Sequence, residues 1–323
     1  MGYSDLINRG RVSMSKVICI GEALIDFMQS ETGYVPCAGG APANVAACVK
    51  KLGGEAQFIT KLGKDFFGDF LMKTITDAGI NVSSVYQTEE ANTGLAFVSH
   101  GENGERSFLF YRNPSSDMLL DASEIKSEWF ETGDVLHFCS VDLVDAPVRY
   151  AHDRAIELAL ANKCLICFDP NVRLPLWKDH EEYKRIINKY IDCADILKIS
   201  DEELFFITGI EDEAKAINHL LSRVEVVVYT KGSKGACVYT KAYSVEHKGF
   251  KTVAVDTTGA GDSFIGSFLY QIASSQINGQ LAVNKVQMEE ILKVSNAVAS
   301  LVVSKKGTIN VMPTMDEVKE VIE

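Results

Sequence analysis

The residues best suited to chemistry lie in segment 255–264, whose sequence is VDTTGAGDSF. A β-rich run from Lys251 to Val255 precedes it, and apolar residues at helical spacing follow from Phe264 to Ile272. This pattern predicts a strand, a glycine turn and the N-terminus of a helix. The first amides of a helix have no internal partners, and the helix dipole adds partial positive charge there. Because the turn residues are only glycine and alanine, an anion could approach these amides closely.

Asp262 follows the turn, at the mouth of the predicted anion site. A carboxylate beside a bound phosphate adds nothing to affinity, because like charges repel. It is suited instead to take the proton of an incoming hydroxyl, while the amides of Gly259, Ala260, Gly261 and Asp262 stabilise charge on the transferred group. The stretch therefore predicts phosphoryl transfer to an alcohol. The alternative is an ordinary helix capped by an aspartate, which is a favoured capping residue.

Two common nucleotide-binding motifs are absent from this sequence. The chain contains no Gly-x-x-x-x-Gly-Lys-Ser/Thr, which excludes a P-loop. The dinucleotide fingerprint would need glycine or alanine where Phe264 stands.

Strand and helix patterns around this stretch predict the elements that position it. From Val135 onward the two patterns alternate, which indicates an α/β fold with a doubly wound, mostly parallel sheet and helices on both faces. Two β-rich arms, Thr93 to His100 and Glu105 to Arg112, flank a glycine-containing turn and predict a hairpin. Ligands of such sheets bind beyond the C-terminal ends of the strands, so one crevice is expected there. The polar residues at or just after predicted strand ends are Asp26, Asn44, Asp169, Ser200, Thr230 and Asp256.

Three segments resemble one protein family. Segment 256–264 (DTTGAGDSF) is similar to the C-terminal signature of the ribokinase-like (PfkB) carbohydrate kinases, and segment 39–46 (GGAPANVA) resembles their N-terminal signature. Segment 169–177 (DPNVRLPLW) resembles the fructokinase branch in particular. The resemblance covers the chain from about Lys16 to Pro313, and two distant signatures in the right order are far more specific than either alone.

The resemblance implies a domain organisation. A ribokinase-like kinase domain would span residues 16–313, with a small β-sheet lid over the sugar site built from about 24–38 and 92–113. Residues 1–13 would form an N-terminal extension and residues 314–323 a C-terminal helix. Relatives also form dimers through the lid, so a homodimer of this kind is one expectation and a monomer is the other.

The expected sugar contacts combine residue chemistry with this resemblance. Gly39 and Gly40 would let backbone approach a small ligand, and Asn44 can both donate to and accept from sugar hydroxyls. The alternative is a glycine turn that caps a helix. The family places a sugar-binding aspartate at the position of Asp26, which on residue chemistry alone could be a solvated strand residue.

Two arginines are further candidates for sugar binding. Arg112 ends the predicted hairpin, and Arg173 follows the turn at Asp169-Pro170-Asn171. The fixed donors of arginine suit the hydroxyls of a keto sugar. Fructokinase-like chains use arginines in these neighbourhoods, whereas the alternative for each is a salt bridge.

The remaining site residues follow from the resemblance. Glu203 matches the family's Asn-x-x-Glu glutamate, which organises the water shell of Mg²⁺, while Ser200 departs from its asparagine; the alternative is an acidic helix N-terminus. The residues implied in ATP binding are Ser200, Thr230, Gly232, Gly235, Asn296 and Gly307. On residue chemistry the loop from Thr230 to Gly235 could equally be a hairpin turn. The residues implied around a K⁺ ion are Asp256, Thr258, Val302 and Gly307.

Composition limits the other classes of function. The 323 residues carry a formal net charge of -12, which argues against a general partner among nucleic acids or anionic membranes. No apolar run is long enough for a membrane helix, and residues 1–13 lack the apolar core of a signal peptide, so a cytoplasmic location is expected. Most of the eight cysteines lie in apolar runs, and the pair Cys164 and Cys167 has no second pair or nearby histidine. Buried thiols are therefore expected rather than a metal or redox site.

Together these observations predict an ATP- and Mg²⁺-dependent sugar kinase that phosphorylates the 6-hydroxyl of D-fructose, with K⁺ as a further candidate ion. One alternative is another acceptor: ribose, 2-keto-3-deoxygluconate or a nucleoside. The second is a non-catalytic relative that senses a sugar or nucleotide, although such a protein need not keep Asp262.

Overall fold

The structure is a computed structural model that describes residues 15–100, 106–277 and 279–323. In chain order the strands are β1 (Val17–Ile20), β2 (Leu24–Ser30), β3 (Gly33–Gly39), β4 (Ala56–Gly63), β5 (Val85–Thr88), β6 (Gly94–His100), β7 (Arg106–Tyr111), β8 (Val135–Cys139), β9 (Leu165–Asp169), β10 (Ile196–Ser200), β11 (Val226–Thr230), β12 (Ala236–Thr240), β13 (Ser244–His247), β14 (Gln276–Ile277) and β15 (Gln280–Leu281). The α-helices are α1 (Ala41–Lys51), α2 (Phe66–Asp77), α3 (Pro147–Ala161), α4 (His180–Ile191), α5 (Asp201–Thr208), α6 (Glu213–Leu221), α7 (Ala260–Ala273), α8 (Lys285–Val303) and α9 (Met315–Ile322).

Within these residues, nine strands form one sheet in the order β13-β12-β11-β10-β9-β8-β1-β4-β5. Neighbouring strands are parallel from β5 to β11, and β12 and β13 add an antiparallel edge. One face of the sheet packs against α1, α2, α7, α8 and α9, and the other against α3 to α6. The doubly wound, mostly parallel α/β fold predicted from the sequence is thereby confirmed.

The central strands form where apolar residues run without interruption. β1, with the sequence VICI, is buried at every position, as is typical of parallel strands covered on both faces. The strand order reverses at β1, which has β4 on one side and β8 on the other. In doubly wound folds the crevice at such a reversal holds the ligand.

A second sheet of four strands has the order β3-β2-β6-β7. It confirms the predicted hairpin of β6 and β7 and its association with strands near Asp26 and Val35. We refer to this sheet as the lid. Its strand β3 is joined to the C-terminal region by a 2.9 Å hydrogen bond from Oγ1 of Thr308 to the carbonyl of Ala38. The predicted hairpin turn and the predicted N-terminal extension (1–13) lie outside the described residues.

The predicted strand from Lys251 to Val255 is wrong, because this segment has no strand structure. Val253 and Val255 are 82% and 62% exposed, so their β-branched side chains do not join the core. The amides of Val255 and Asp256 instead donate to the carbonyl of Val303 at the end of α8. β-branched residues favour a strand only when a pleated surface is available to receive them.

Six of the eight cysteines are buried, whereas Cys37 and Cys193 are partly exposed. All eight are free thiols, and Cys164 and Cys167 belong to the apolar clusters on opposite faces of the sheet. Of the helices in the part of the chain that the structure describes, none has the length and apolar character needed to cross a membrane.

Candidate active site

Asp262 lies in the first turn of α7 but does not cap it. The N-cap is Gly259, whose φ of 76° is left-handed, and Asp262 is the third residue of the helix. Its Oδ2 accepts a 2.8 Å hydrogen bond from Nδ2 of Asn44, in the first turn of α1. The capping alternative is therefore wrong. The carboxylate is held by another helix, beside the amides at its own helix N-terminus.

The close packing of α1 on α7 brings these two residues together. A Cβ added to Gly266 would lie 2.7 Å from Cβ of Cys48, so the helices approach too closely for any other residue there. Sγ of Cys48 also donates to the carbonyl of Ser263 at 3.2 Å. Small residues one turn beyond Asp262 thus set the distance between Asp262 and Asn44.

The two glycines of the N-terminal signature are required by close backbone approach. Gly40 is the N-cap of α1 with a φ of 113°, and a Cβ there would lie 2.3 Å from the carbonyl oxygen of Glu22. A Cβ on Gly39 would lie 2.0 Å from Oδ2 of Asp26. The glycine turn thus caps the helix, as the alternative proposed, and also places the Asp26 carboxylate beside the signature.

A cleft of about 280 Å³ separates the lid from the loop before α7. Its lining residues are Asp26, Met28, Val35, Cys37, Asp256, Thr258, Lys306, Gly307 and Thr308. Oδ1 of Asp256 accepts from the amide and the hydroxyl of Thr258 at 2.9 and 2.6 Å, and its Oδ2 lies 3.5 Å from the amide of Gly307. The structure thereby brings together three of the four residues expected around K⁺. The carbonyl of the fourth, Val302, accepts from the amide of Lys305 at 3.1 Å.

A buried lysine, Lys198 on β10, lies below the start of α7. Its Nζ lies 3.0 Å from each carboxylate oxygen of Asp169 at the end of β9. Burial lowers the pKa of Lys198, but the carboxylates of Asp169 and Glu203 raise it above its ordinary value, so the side chain is an ammonium. Burial raises the pKa of Asp262, whereas the hydrogen bond from Asn44 and the charge of Lys198 oppose that increase.

Glu203 joins two loops at the strand ends. Its Oε2 accepts from the amide and hydroxyl of Ser200, the N-cap of α5, at 2.9 Å each, and its Oε1 accepts from the amide of Val172 at 2.7 Å. Burial raises the pKa of Glu203, but the charge of Lys198 and the hydrogen bonds from these amides lower it by more. The net pKa is therefore below its ordinary value. An ionised carboxylate in this position fits a role in holding the water shell of a divalent cation.

Arg112 lies in a buried ionic network, which is the alternative role that the sequence left open. Its guanidinium pairs with Asp117 and Asp142, and its side chain is only 3% exposed. Glu22 approaches the same group and accepts from the amide of Ala41 at 2.9 Å, which links the network to the start of α1. A sugar contact for Arg112 stays a prediction.

Arg173 is placed differently from Arg112. Its charge is near enough to Asp262 to lower the pKa of that carboxyl. Its amide donates to the hydroxyl of Tyr183 at 3.1 Å, and its guanidinium donates to the carbonyl of Val172 at 3.1 Å. Arg173 therefore belongs to the surroundings of Asp262.

Four of the residues expected to bind ATP, Ser200, Thr230, Gly232 and Gly235, lie at the ends of β10 and β11 or in the loop that follows β11. Ser200 and Thr230 are paired directly on the adjacent strands β10 and β11. Gly235, with a φ of 87°, lies against the backbone of Gly249, and a Cβ on Gly249 would lie 3.6 Å from Oδ1 of Asn296. The structure thus also connects Gly235 with Asn296 through Gly249. Gly232 and Gly307 likewise have positive φ values, of 52° and 117°.

Sequence reasoning missed Lys198, although a signal was present. It is the one charged residue of β10 and shares a face with the fully buried Ile196. A charge at such a position needs a buried partner, because an unpaired ammonium would not remain in a core. Sequence reasoning also missed Glu22, a second charged residue at a buried position, which directly follows the turn after β1.

Comparison with known proteins agrees with this geometry. A family model described as pfkB family carbohydrate kinase matches residues 14–315. The probable fructokinase-4 of Arabidopsis thaliana is 38% identical over 319 residues, which cover 96% of this chain and 97% of the relative. The crystal structure of fructokinase with bound ATP from Xylella fastidiosa is 33% identical and has a TM-score of 0.89, with coverage of 96% of this chain and 98% of the other. A fructokinase double mutant from Vibrio cholerae O395 in fructose, ADP and potassium ion bound form is 32% identical, with a TM-score of 0.87 and coverage of 96% and 99%.

The chain therefore belongs to the pfkB family carbohydrate kinases. Within that family it is an ATP-dependent sugar kinase of the fructokinase type.

Proposed function

We propose that this chain transfers the γ-phosphoryl group of ATP to the 6-hydroxyl of D-fructose, with Asp262 as the general base. The observation that carries the proposal is the placement of Asp262, whose carboxylate bonds to Asn44 instead of capping α7. A base so placed lies beside the helix N-terminus that would receive the phosphates.

In the proposed reaction, Asp262 accepts the proton of the sugar hydroxyl as the oxygen attacks phosphorus. The amides of Gly259, Ala260, Gly261 and Asp262 stabilise the charge on the transferred group. Closure of the lid over the cleft excludes water and limits hydrolysis of ATP.

Two ions fit the residues present. When bound, Mg²⁺ would neutralise charge on the ATP phosphates, and the ionised Glu203 would hold its water shell. The Asp256 carboxylate and the Thr258 hydroxyl supply side-chain oxygens near one another, with Gly307 beside them, and oxygen ligands suit K⁺. The carbonyl of Val302 would complete that set.

The sugar would contact Asp26, the backbone at Gly39 and Gly40, and the side chains of Asn44 and Arg173. The carbonyl Oδ1 of Asn44 supports this proposal, because it is buried and has no partner in the described part of the chain. A sugar hydroxyl would satisfy it. Arg112 would act at the edge of this pocket through its network.

The lid also supports a proposed homodimer. Tyr34, Leu109 and Tyr111 are 46%, 57% and 60% exposed, and strand register places them on the face of the lid that is turned away from the cleft. Burial of such a patch by a second copy would remove apolar area from water. Sedimentation of Leu109→Lys beside the unmodified protein tests this: an unmodified protein that is already monomeric would refute the dimer.

The decisive experiment is ADP release from MgATP against fructose, ribose, glucose, 2-keto-3-deoxygluconate and adenosine, each with and without K⁺. A clear preference for fructose is expected. Turnover of another acceptor would preserve the mechanism and overturn the specificity. Nucleotide binding without turnover of any acceptor would indicate a sensing protein.

A further inference from the structure

Lys198 and Asp169 form an ion pair directly below the turn that carries Asp262. The two side chains are 8% and 1% exposed, and the ammonium lies 3.0 Å from both oxygens of the carboxylate. A Cβ added to Gly261 would be 3.4 Å from Nζ of Lys198. The ammonium therefore faces the first turn of α7, where the base is located.

Folding alone gives no reason for a cation in this position. Removing an ammonium from water is unfavourable, and the positive end of the α7 dipole adds repulsion. Replacing a buried ion pair by apolar residues of similar volume is often neutral or stabilising. Uncharged side chains in place of both members of the pair would avoid these costs, so the charged pair itself requires an explanation.

The surroundings of Asp262 show which charge Lys198 acts on. The titratable and charged groups around Asp262 and Lys198 are Asp169 and Cys167 (β9), Arg173 (loop after β9), Glu203 (α5), Cys48 (α1), and Cys139 and His137 (β8). Burial raises the pKa of the three thiols, and burial together with Lys198 lowers the pKa of His137 to about 3, so these four groups are neutral. The buried cation nearest the turn is thus Lys198, with Asp169 as its fixed counter-charge.

We propose that Lys198 and Asp169 are a positioning pair for the base: Asp169 fixes the Lys198 ammonium under Gly261, and that ammonium keeps Asp262 ionised before the sugar hydroxyl arrives. This inference rests on the proposed role of Asp262 as general base. Lys198 contacts neither the sugar nor the transferred proton. It acts through the electrostatic potential at Asp262, which Asp169 limits by neutralising part of the lysine charge.

The test compares pH profiles of kcat/KM for fructose in the unmodified protein, Lys198→Met and Asp169→Asn. All three are measured at the same saturating MgATP, so titration of the nucleotide is common to them. Loss of the cation raises the pKa of Asp262, and the acidic limb of the Lys198→Met profile should move up by roughly one pH unit. Loss of the counter-charge leaves more positive potential at Asp262, and the acidic limb of Asp169→Asn should move down.

The opposite shifts of the acidic limb in the two variants distinguish the positioning role from a structural role and from a role in phosphate binding. A structural role would lower the melting temperature without moving the acidic limb, and a role as phosphate ligand would raise KM for ATP alone; either result would overturn the inference. Each variant tests it separately, so one that fails to fold leaves the other decisive. Asp262→Asn serves as the reference. If it lost turnover while the acidic limbs of both other variants stayed in place, the proposed base would stand and only the positioning pair would fall.

Discussion

Nδ2 of Asn44 donates a 2.8 Å hydrogen bond to Oδ2 of Asp262, and this bond joins the N-terminal signature of the chain to its C-terminal signature. The two residues are 218 positions apart in sequence. They meet because α1 packs closely on α7, where glycine at position 266 leaves room for Cys48. The proposed base is thus oriented by the same side chain that is expected to contact the sugar.

Asn44→Ala should raise the pKa of Asp262. The hydrogen bond from Asn44 opposes the increase in pKa that burial causes, so its loss leaves the acid form more favoured. The acidic limb of kcat/KM should therefore move to higher pH, and KM for fructose should rise. Asn188→Ala is a suitable control, because that amide donates to backbone carbonyls of Lys184 and Ile207 instead. An equal shift in both variants would contradict the assignment.

Asp262→Asn should fold, bind both substrates and lose turnover by a factor of about 10²–10⁴, the usual contribution of a positioned base. The asparagine keeps the shape of the side chain and can still bond to Asn44. Calorimetric binding of ATP and fructose, together with kcat, measures the two effects separately. Near-normal turnover would refute the base assignment.

Gly266→Ala should separate α1 from α7. The new methyl group would lie 2.7 Å from Cβ of Cys48 and 3.0 Å from the carbonyl oxygen of Val45, so the helices must move apart. We expect a loss of about 1–3 kcal/mol of stability, the usual cost of overpacking, and a fall in kcat as Asn44 leaves Asp262. Denaturant unfolding of Gly266→Ala beside Ser274→Ala, at the exposed end of the same helix, provides the comparison. Unchanged stability would show that the interface is looser than these distances imply.

How far the sequence predicts this molecule depends on the kind of signal. Buried strands such as β1 carry uninterrupted apolar runs, and glycines at positions 40 and 259 mark turns with positive φ, so both were predictable. Strand β5 and helix α6 were missed. β5 is an edge strand with no fully buried residue, so its four residues lack the apolar run that marks the central strands.

Contacts between residues that are distant in sequence are the second feature that could not be predicted. The sequence alone could not decide whether Arg112 binds a sugar or a carboxylate, because its partner Asp142 lies 30 positions away in the sequence. The same applies to Lys198, whose partner lies on the neighbouring strand. Residue types predict the available chemistry, but the folded structure decides which groups meet.

Glu22→Gln should make stability less sensitive to pH between the ordinary pKa of a glutamate and about 8. Burial and the nearby charge of Asp142 raise the pKa of Glu22 to about 8, above its value in the unfolded chain. Between those two values the folded state binds more protons than the unfolded state, so the free energy of unfolding falls as pH rises. The amide can still accept from Ala41 but cannot ionise, so the variant should lose less stability than the unmodified protein as pH rises toward 8.

Melting temperatures of both proteins across this range measure the effect. Glu55→Gln is the matched control, because Glu55 is 59% exposed and pairs with Lys50 at the surface. A parallel pH dependence in all three proteins would contradict the raised pKa of Glu22.

Arg112→Met should separate the two roles that the sequence allows for this arginine. If the guanidinium mainly balances Asp117 and Asp142, its removal leaves buried carboxylates unpaired and should cost about 3–5 kcal/mol of stability. Equilibrium unfolding and KM for fructose, measured on the same preparation, distinguish the roles. A large loss of stability supports the network, whereas an unchanged free energy of unfolding with a raised KM for fructose would assign Arg112 to the sugar. A variant too unstable to assay would itself support the network. Arg149→Met then serves as the control, because Arg149 pairs with the 86% exposed side chain of Asp145.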